Sequence, residues 1–248
     1  MAQRGQVRVM RRRYWLRATI AVLVLTFSAR AQDRQVQQNF RVWFPYFGDH
    51  AFGDSRWGVH LEAQARFQDG VTNLQHLVLR PGINYQPNRL LMLTAGYAYV
   101  RLYPSDTVAP LLPPRNEHRI WEQAWLRYSS GRVSWSTRFR FENRFIEGTN
   151  GYRFENRIRA WQQATVPLDK RIYVTGYDEL FFYVKPYQSS SPFDQNRAYA
   201  ALGFNIKPGW RFETGYMNQA LLQRSGRVLD VNHTLVFAIL SNAAFRRR

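Results

Sequence analysis

The densest chemistry in this sequence sits at every second residue of two neighbouring stretches. Arg138, Arg140, Glu142 and Arg144 hold alternate positions of the first, and Arg153, Glu155, Arg157 and Arg159 those of the second. A guanidinium presents a rigid fork of donors that suits a carboxylate or another oxyanion. Two uses are open to such a ladder. Its charges can satisfy one another and hold a structure together, or they can line a constriction that selects anions. Acid–base or nucleophilic catalysis would need other groups. His60, His76, His118 and His233 are the candidate bases, and Ser134 and Ser136 the candidate nucleophiles. No histidine stands at a spacing from a serine or an aspartate that fixes their mutual geometry, which is what defines a triad. No Asp/Glu/His cluster has metal-ligand spacing, and the chain has no cysteine. The expectation is therefore no catalytic residue, no cofactor and no metal.

The elements that must position the ladder are strands. Between Arg132 and Ile146, Val133, Trp135, Thr137, Phe139, Phe141 and Phe145 alternate with Arg132, Ser134, Ser136, Arg138, Arg140, Glu142 and Arg144. A period of two gives one apolar and one charged face. The break Glu147-Gly-Thr-Asn-Gly151 carries an Asn-Gly hairpin signal. Beyond it Phe141-Glu-Asn-Arg144 returns as Phe154-Glu-Asn-Arg157. Folding the copies about Asn143 and Asn156 sets Arg144 against Glu155 and Glu142 against Arg157, both pairs of opposite sign. A slip of one residue would turn the charges to the other face. In this register the two asparagines meet on the apolar face, where each amide needs a partner.

Both strands are about twice the usual 5–6 residues. A strand that crosses a membrane needs about 9–11, apolar toward lipid and polar toward the interior. The same alternation recurs along the chain. In Arg56–Phe67, Trp57, Val59, Leu61, Ala63, Ala65 and Phe67 oppose His60, Glu62, Gln64 and Arg66. Further extended segments are expected at 73–85, 90–103, 116–128, 171–184, 194–206, 210–223 and 231–245. The faces of 116–128 stay unassigned, because Glu117, Arg119, Gln123 and Arg127 compete with His118 and Glu122. The links at 86–88, 129–131, 167–170 and 207–209 are short; those at 104–115, 147–151, 185–193 and 224–230 are mostly longer. Short turns at one end and longer loops at the other are the outer-membrane barrel pattern, and 8 Trp, 14 Tyr and 17 Phe suit interfacial girdles. The fold class expected is all-β: a closed antiparallel up-and-down transmembrane β-barrel of 10–12 strands. Ten strands from Arg56 fit an even count. A short strand at Val36–Phe44, stopped by Pro45, would be an unplaced eleventh.

Residues 1–31 read as an export signal, and 32–248 as the barrel domain. Arg11, Arg12, Arg13 and Arg17 precede an apolar run from Ala18 to Phe27, and Ala29-Arg-Ala31 offers a cleavage site. Met10 is an alternative start. The run falls short of the ~20 residues of a spanning helix. These residues carry seven Arg and no acid, so their removal lowers the net charge from +18 to +11. Of 35 basic residues only Lys170, Lys185 and Lys207 are Lys. The remaining Arg are spread at strand spacing among Glu, with no single patch, which argues against nucleic acid as a partner.

Several of these stretches resemble a known family. Asn116-Glu-His-Arg-Ile-Trp-Glu-Gln123, the Arg-rich strands Arg138–Arg144 and Arg153–Arg159, Glu179 before an aromatic pair, Gln195-Asn-Arg197 and Gly215-Tyr216 resemble the outer-membrane barrels grouped as domain of unknown function 2490. The resemblance spans most of the chain after the export signal. It implies a barrel in a Gram-negative outer membrane, among outer-membrane lipid and lipopolysaccharide, with the barrel-assembly machinery as its partner during insertion. It carries no activity or catalytic residue, and the oligomeric state stays open. The expected function is a non-enzymatic integral barrel whose Arg/Glu-lined lumen is structural. The alternatives are a narrow channel for small anionic solutes and a lipid-modifying enzyme with an external site.

Overall fold

A computed structural model describes residues 34–104, 113–184 and 189–245; the export signal expected at 1–31 lies outside them. Eleven strands make up the described chain: β1 (Gln35–Ala51), β2 (Trp57–Gln68), β3 (Asn73–Tyr85), β4 (Leu91–Leu102), β5 (Arg115–Ser130), β6 (Val133–Gly148), β7 (Gly151–Pro167), β8 (Ile172–Tyr183), β9 (Phe193–Lys207), β10 (Trp210–Leu222) and β11 (Val228–Ser241). Each pairs with its neighbours in sequence, and β1 also pairs with β11 to close the barrel. No helix among the described residues is long and apolar enough to cross a membrane.

Two expectations need correction. The first strand does not stop at Pro45 but runs on to Ala51. Proline lacks an N–H and is tolerated only where a ladder bond can be spared. Here the ladder with β2 continues through Pro45↔Gln64. The ladder with β11 lapses between Trp43↔Val236 and Tyr46↔Ile239. Pro81 uses the same device: it pairs with Leu61 in β2, and the ladder with β4 skips from Leu79↔Tyr99 to Gly82↔Gly96.

The second correction follows from the first. Strands that alternate in direction leave the first and the eleventh running the same way, so the sheet is antiparallel everywhere except at one parallel seam. That seam is long, from Gln35↔Val228 to Gly48↔Ser241. Asn39 Nδ2 donates to Asn232 Oδ1 across it at 3.0 Å.

The links sort by end. At one end lie 52–56, 86–90, 131–132, 168–171 and 208–209, together with the C-terminal residues. At the other lie 69–72, 103–114, 149–150, 184–192 and 223–227, together with the start of β1. The break at 147–151 closes more tightly than expected. Gly148 pairs with Gly151, which adopts φ 102°, so only Thr149 and Asn150 turn the chain. A positive φ of this kind is open to glycine at little cost.

Side chains sort by face as the alternation demands. Leu79, Ile83, Ile120 and Phe139 lie on the outside, each more than half exposed. Glu62, Arg80, Arg140 and Glu142 lie inside, none more than 4% exposed. In β5 it is Glu117, Arg119, Trp121, Gln123 and Arg127 that face inward, and His118 and Glu122 that face out. Both faces of this strand carry polar groups, so hydropathy alone could not separate them.

Candidate functional site: the charged barrel interior

The β6–β7 hairpin has the register expected from the repeated Phe-Glu-Asn-Arg, with Asn143↔Asn156, Arg144↔Glu155 and Glu142↔Arg157. On the outer face Asn156 Nδ2 donates to Asn143 Oδ1 at 2.6 Å, so the amides satisfy each other. On the inner face Arg157 grips Glu142 through Nε at 3.0 Å and Nη2 at 2.6 Å. Arg144 Nη1 reaches Glu155 Oε2 at 3.5 Å. Arg153 Nε donates to Glu155 Oε1 at 2.9 Å. Of the eight ladder residues six are buried, and Arg138 and Arg153 are half-buried.

The ladder is not closed on itself, because carboxylates from other strands complete it. Glu117 of β5 receives Arg144 Nε at 2.5 Å and Arg119 Nε at 2.8 Å. Glu179 of β8 receives Arg159 Nη2 and Arg138 Nη2, each at 2.7 Å. Arg159 Nη1 also bonds Glu142 at 2.9 Å. Arg224, from the 223–227 link, bonds Glu155. Asp194 reaches the interior through an irregularity. Phe181 pairs with Gln195 and Phe182 with Phe193, which leaves Asp194 as the extra residue of a bulge. A bulge re-aims side chains, and the Asp194 carboxylate meets Arg157 Nη1 at 2.9 Å. Glu117, Glu142, Glu155 and Glu179 thus each serve two or more guanidiniums, and Asp194 serves Arg157; such pairing is the condition under which buried charge is tolerable.

A second network continues from Arg140. Its Nε and Nη2 donate to Gln123 Oε1 at 3.1 and 2.8 Å. Gln123 donates to Thr94 at 3.1 Å, Thr94 to Asn84 at 2.7 Å, and Asn84 to Asp49 at 2.9 Å. Asp49 lies 2.8 Å from His60 Nδ1. Glu62 receives Arg80 and, at 2.5 Å, Gln64. Trp121, fully buried, sits in the middle. The Arg140 guanidinium lies 4.6 Å from its ring centroid, and His60 meets it edge-on at 5.3 Å. The indole fits because it lies over Gly82 and Gly96. A Cβ on Gly96 would fall 2.8 Å from the ring and 2.3 Å from the Pro81 carbonyl oxygen.

The family profile for proteins of unknown function DUF2490 matches residues 40–230 of this chain, from β1 into β11. The chain belongs to the DUF2490 family. It is also similar to an uncharacterized protein of Methylorubrum extorquens, 29% identical over 218 residues, which cover 85% of this chain and 91% of that protein. Among solved structures it is similar to the NanC porin, at 10% identity and a TM-score of 0.47, covering 75% of this chain and 90% of the porin chain.

In the DUF2490 barrel the networks separate two cavities. One of about 980 Å³ opens toward the short-turn end, beside Ser55, Gln86, Lys170 and Pro208. One of about 500 Å³ opens toward the long-loop end, beside Arg115, Tyr183 and Arg224. Trp43, Arg66, Arg80, Arg159 and Arg197 border both. The histidines are scattered. His118 lies outside between Tyr97 (2.5 Å) and Tyr152 (3.3 Å), and His233 lies outside against Tyr216 (2.6 Å). His60 and His76 lie inside. Ser134 and Ser136 border the larger cavity, and among the described residues neither hydrogen-bonds to a histidine. The Asp49–His60 pair, formed across β1 and β2, escaped sequence reasoning because its partners are eleven residues apart on separate strands. Its second nitrogen faces Glu62 at 3.6 Å rather than a hydroxyl. Among the described residues no cluster of three or more potential ligands could hold a metal ion.

Proposed function

We propose that this DUF2490 protein is an integral barrel of a Gram-negative outer membrane, with no enzymatic role, and that its Arg/Glu network fills the lumen and fixes the register of its wall. The observation that carries the reading is the inversion of a soluble protein's polarity. Leu79, Ile120 and Phe139 are more than half exposed on the outside, while Arg140 and Glu142 are at most 2% exposed within. In water that arrangement exposes apolar surface and buries charge, both unfavourable. In a bilayer the outer face meets hydrocarbon, and closure leaves no sheet edge unpaired. Outer-membrane lipid and lipopolysaccharide are then its surroundings, and residues 1–31 the signal that exports it to the barrel-assembly machinery.

The test is fractionation followed by electrophoresis of unboiled and boiled samples. The chain should appear in the outer-membrane fraction and change its migration on boiling. Recovery in the periplasm, with no change on boiling, would refute the reading.

A further inference from the structure

The ladder named by the sequence is a poor place for a solute anion. Arg144, Arg157 and Arg159 each already bond two carboxylates. The opposite wall is different. Trp43, Arg66 and His76 form a cross-strand row on the inner faces of β1, β2 and β3, paired as Trp43↔Arg66 and Arg66↔His76. Neither Arg66 nor Arg41, one inward position along β1 from Trp43, has a carboxylate within 4.0 Å among the described residues. Arg66 donates to Gln64 Oε1 at 2.8 Å, and its guanidinium lies 4.0 Å from the Trp43 ring centroid. Arg197 approaches the same indole from β9, at 5.1 Å. Among the described residues its sole carboxylate contact is Glu179 at 4.0 Å, a group already bonded by Arg138 and Arg159. Arg197 is 8% exposed, and among the described residues its Nε has no hydrogen-bond partner; Arg41 Nε and His76 Nδ1 also lack one there.

Two under-paired guanidiniums over one indole therefore stand where the two cavities meet. A buried cation without a counter-charge is costly, and a small anion supplies what the chain omits. We infer that this constriction binds a small multivalent oxyanion of the phosphate class, held by Arg66 and Arg197 over Trp43, with Arg41 and His76 at its long-loop mouth. Forked donors suit the spaced oxygens of phosphate better than the single charge of chloride. The cavity of about 500 Å³ on the long-loop side leaves room for a phosphorylated solute as well as for the free ion. The site rests on the barrel reading for its enclosure, and it moves the anion from the β6–β7 ladder to the facing wall.

Titration calorimetry on the detergent-folded full-length barrel tests the inference, with inorganic phosphate, a small phosphomonoester and chloride as separate titrants. Phosphate should bind saturably, and chloride should not compete at equal concentration. Arg66→Gln combined with Arg197→Gln should weaken phosphate by at least about tenfold, the scale of one lost charge-assisted contact. Arg171→Gln, in an exposed turn at the far end, should leave it unchanged. Tighter binding of the phosphomonoester would identify a solute rather than the free ion as occupant; tighter binding of inorganic phosphate would identify the ion. Heat-modifiable migration is measured on every sample. If the double variant does not fold, Arg66→Gln alone is read in its place. A folded wild-type barrel that binds no phosphate, or folded variants that bind it equally well, would overturn the site and leave the barrel reading intact. Absence of heat-modifiable migration in the wild type would instead refute the barrel.

Discussion

Glu142→Gln is the most exacting perturbation of the interior. The side chain is fully buried and keeps its shape on substitution, so the change removes charge and little else. Its carboxylate accepts from Arg157 at 3.0 and 2.6 Å and from Arg159 at 2.9 Å. Arg119 and Arg80 stand further off, at 3.8 and 3.9 Å. One unit charge opposite another at about 4 Å is worth roughly 4 kcal/mol at an effective dielectric of about 20. Removing one partner of a buried pair costs about 3–5 kcal/mol, because the other is left uncompensated. Arg157 retains Asp194 and Arg159 retains Glu179. The loss should therefore lie near the lower end, at about 3 kcal/mol. Guanidinium unfolding of the barrel in lipid vesicles, followed by tryptophan fluorescence, would read this as a lower midpoint at unchanged slope. Glu122→Gln, on the outer face, provides the contrast and should leave the midpoint level or raise it. Adding Arg157→Gln to Glu142→Gln should cost less than the two single losses together, because the partner is then no longer stranded. A Glu142→Gln loss below about 1 kcal/mol would show that the interior is wet enough to screen its charges, and the argument from burial would fail.

The outer face can be tested in the same assay: Phe139→Arg should cost about 2–4 kcal/mol if that position lies near the bilayer midplane, whereas Ser136→Arg, directed into the larger cavity, should cost under about 1 kcal/mol. Equal losses would mean that the faces are assigned wrongly. Gly96→Ala should destabilise by about 1–3 kcal/mol, since the new methyl meets the Pro81 carbonyl and the Trp121 ring. A neutral result would show that both the indole and the β3 backbone at Pro81 and Gly82 can give way. Mass spectrometry of the purified protein should find Gln32 at or near its N-terminus, and an intact Arg11–Phe27 segment would overturn the export argument.

Much of the wall was legible because period two is a local signal. The faces of β2 and β6, and the charge-matched register of β6 and β7, follow from residues close together in sequence. Where the pattern failed, the deciding contact was distant. Pro45 reads as a stop until it is known that its missing N–H falls on the seam with β11. Asp194 heads the expected segment 194–206, and nothing local shows that the bulge against Phe181 and Phe182 turns it inward. The ladder was visible, but its partners Glu117 and Glu179 belong to strands whose positions around the barrel no short-range pattern reveals. Trp121 over Gly82 and Gly96 joins β5, β3 and β4, and nothing in β5 alone marks an indole as the centre of a charged interior. The proposed anion site is the extreme case, because Arg66 and Arg41 stand out only by having no carboxylate within 4.0 Å among the described residues, and Arg197 by sharing Glu179 with two other guanidiniums.

The parallel seam has a consequence for how this protein can be handled and seen. A barrel with an even number of strands returns its two ends to one compartment; this one does not. The start of β1 lies beside the long loops, and the end of β11 lies beside the short turns. In the proposed outer-membrane orientation, with the short turns on the periplasmic side, the start of β1 would face the cell surface and the end of β11 the periplasm. An epitope inserted just ahead of Gln35 would then be open to antibody on intact cells, and one inserted just after Ser241 would be hidden until the envelope is broken.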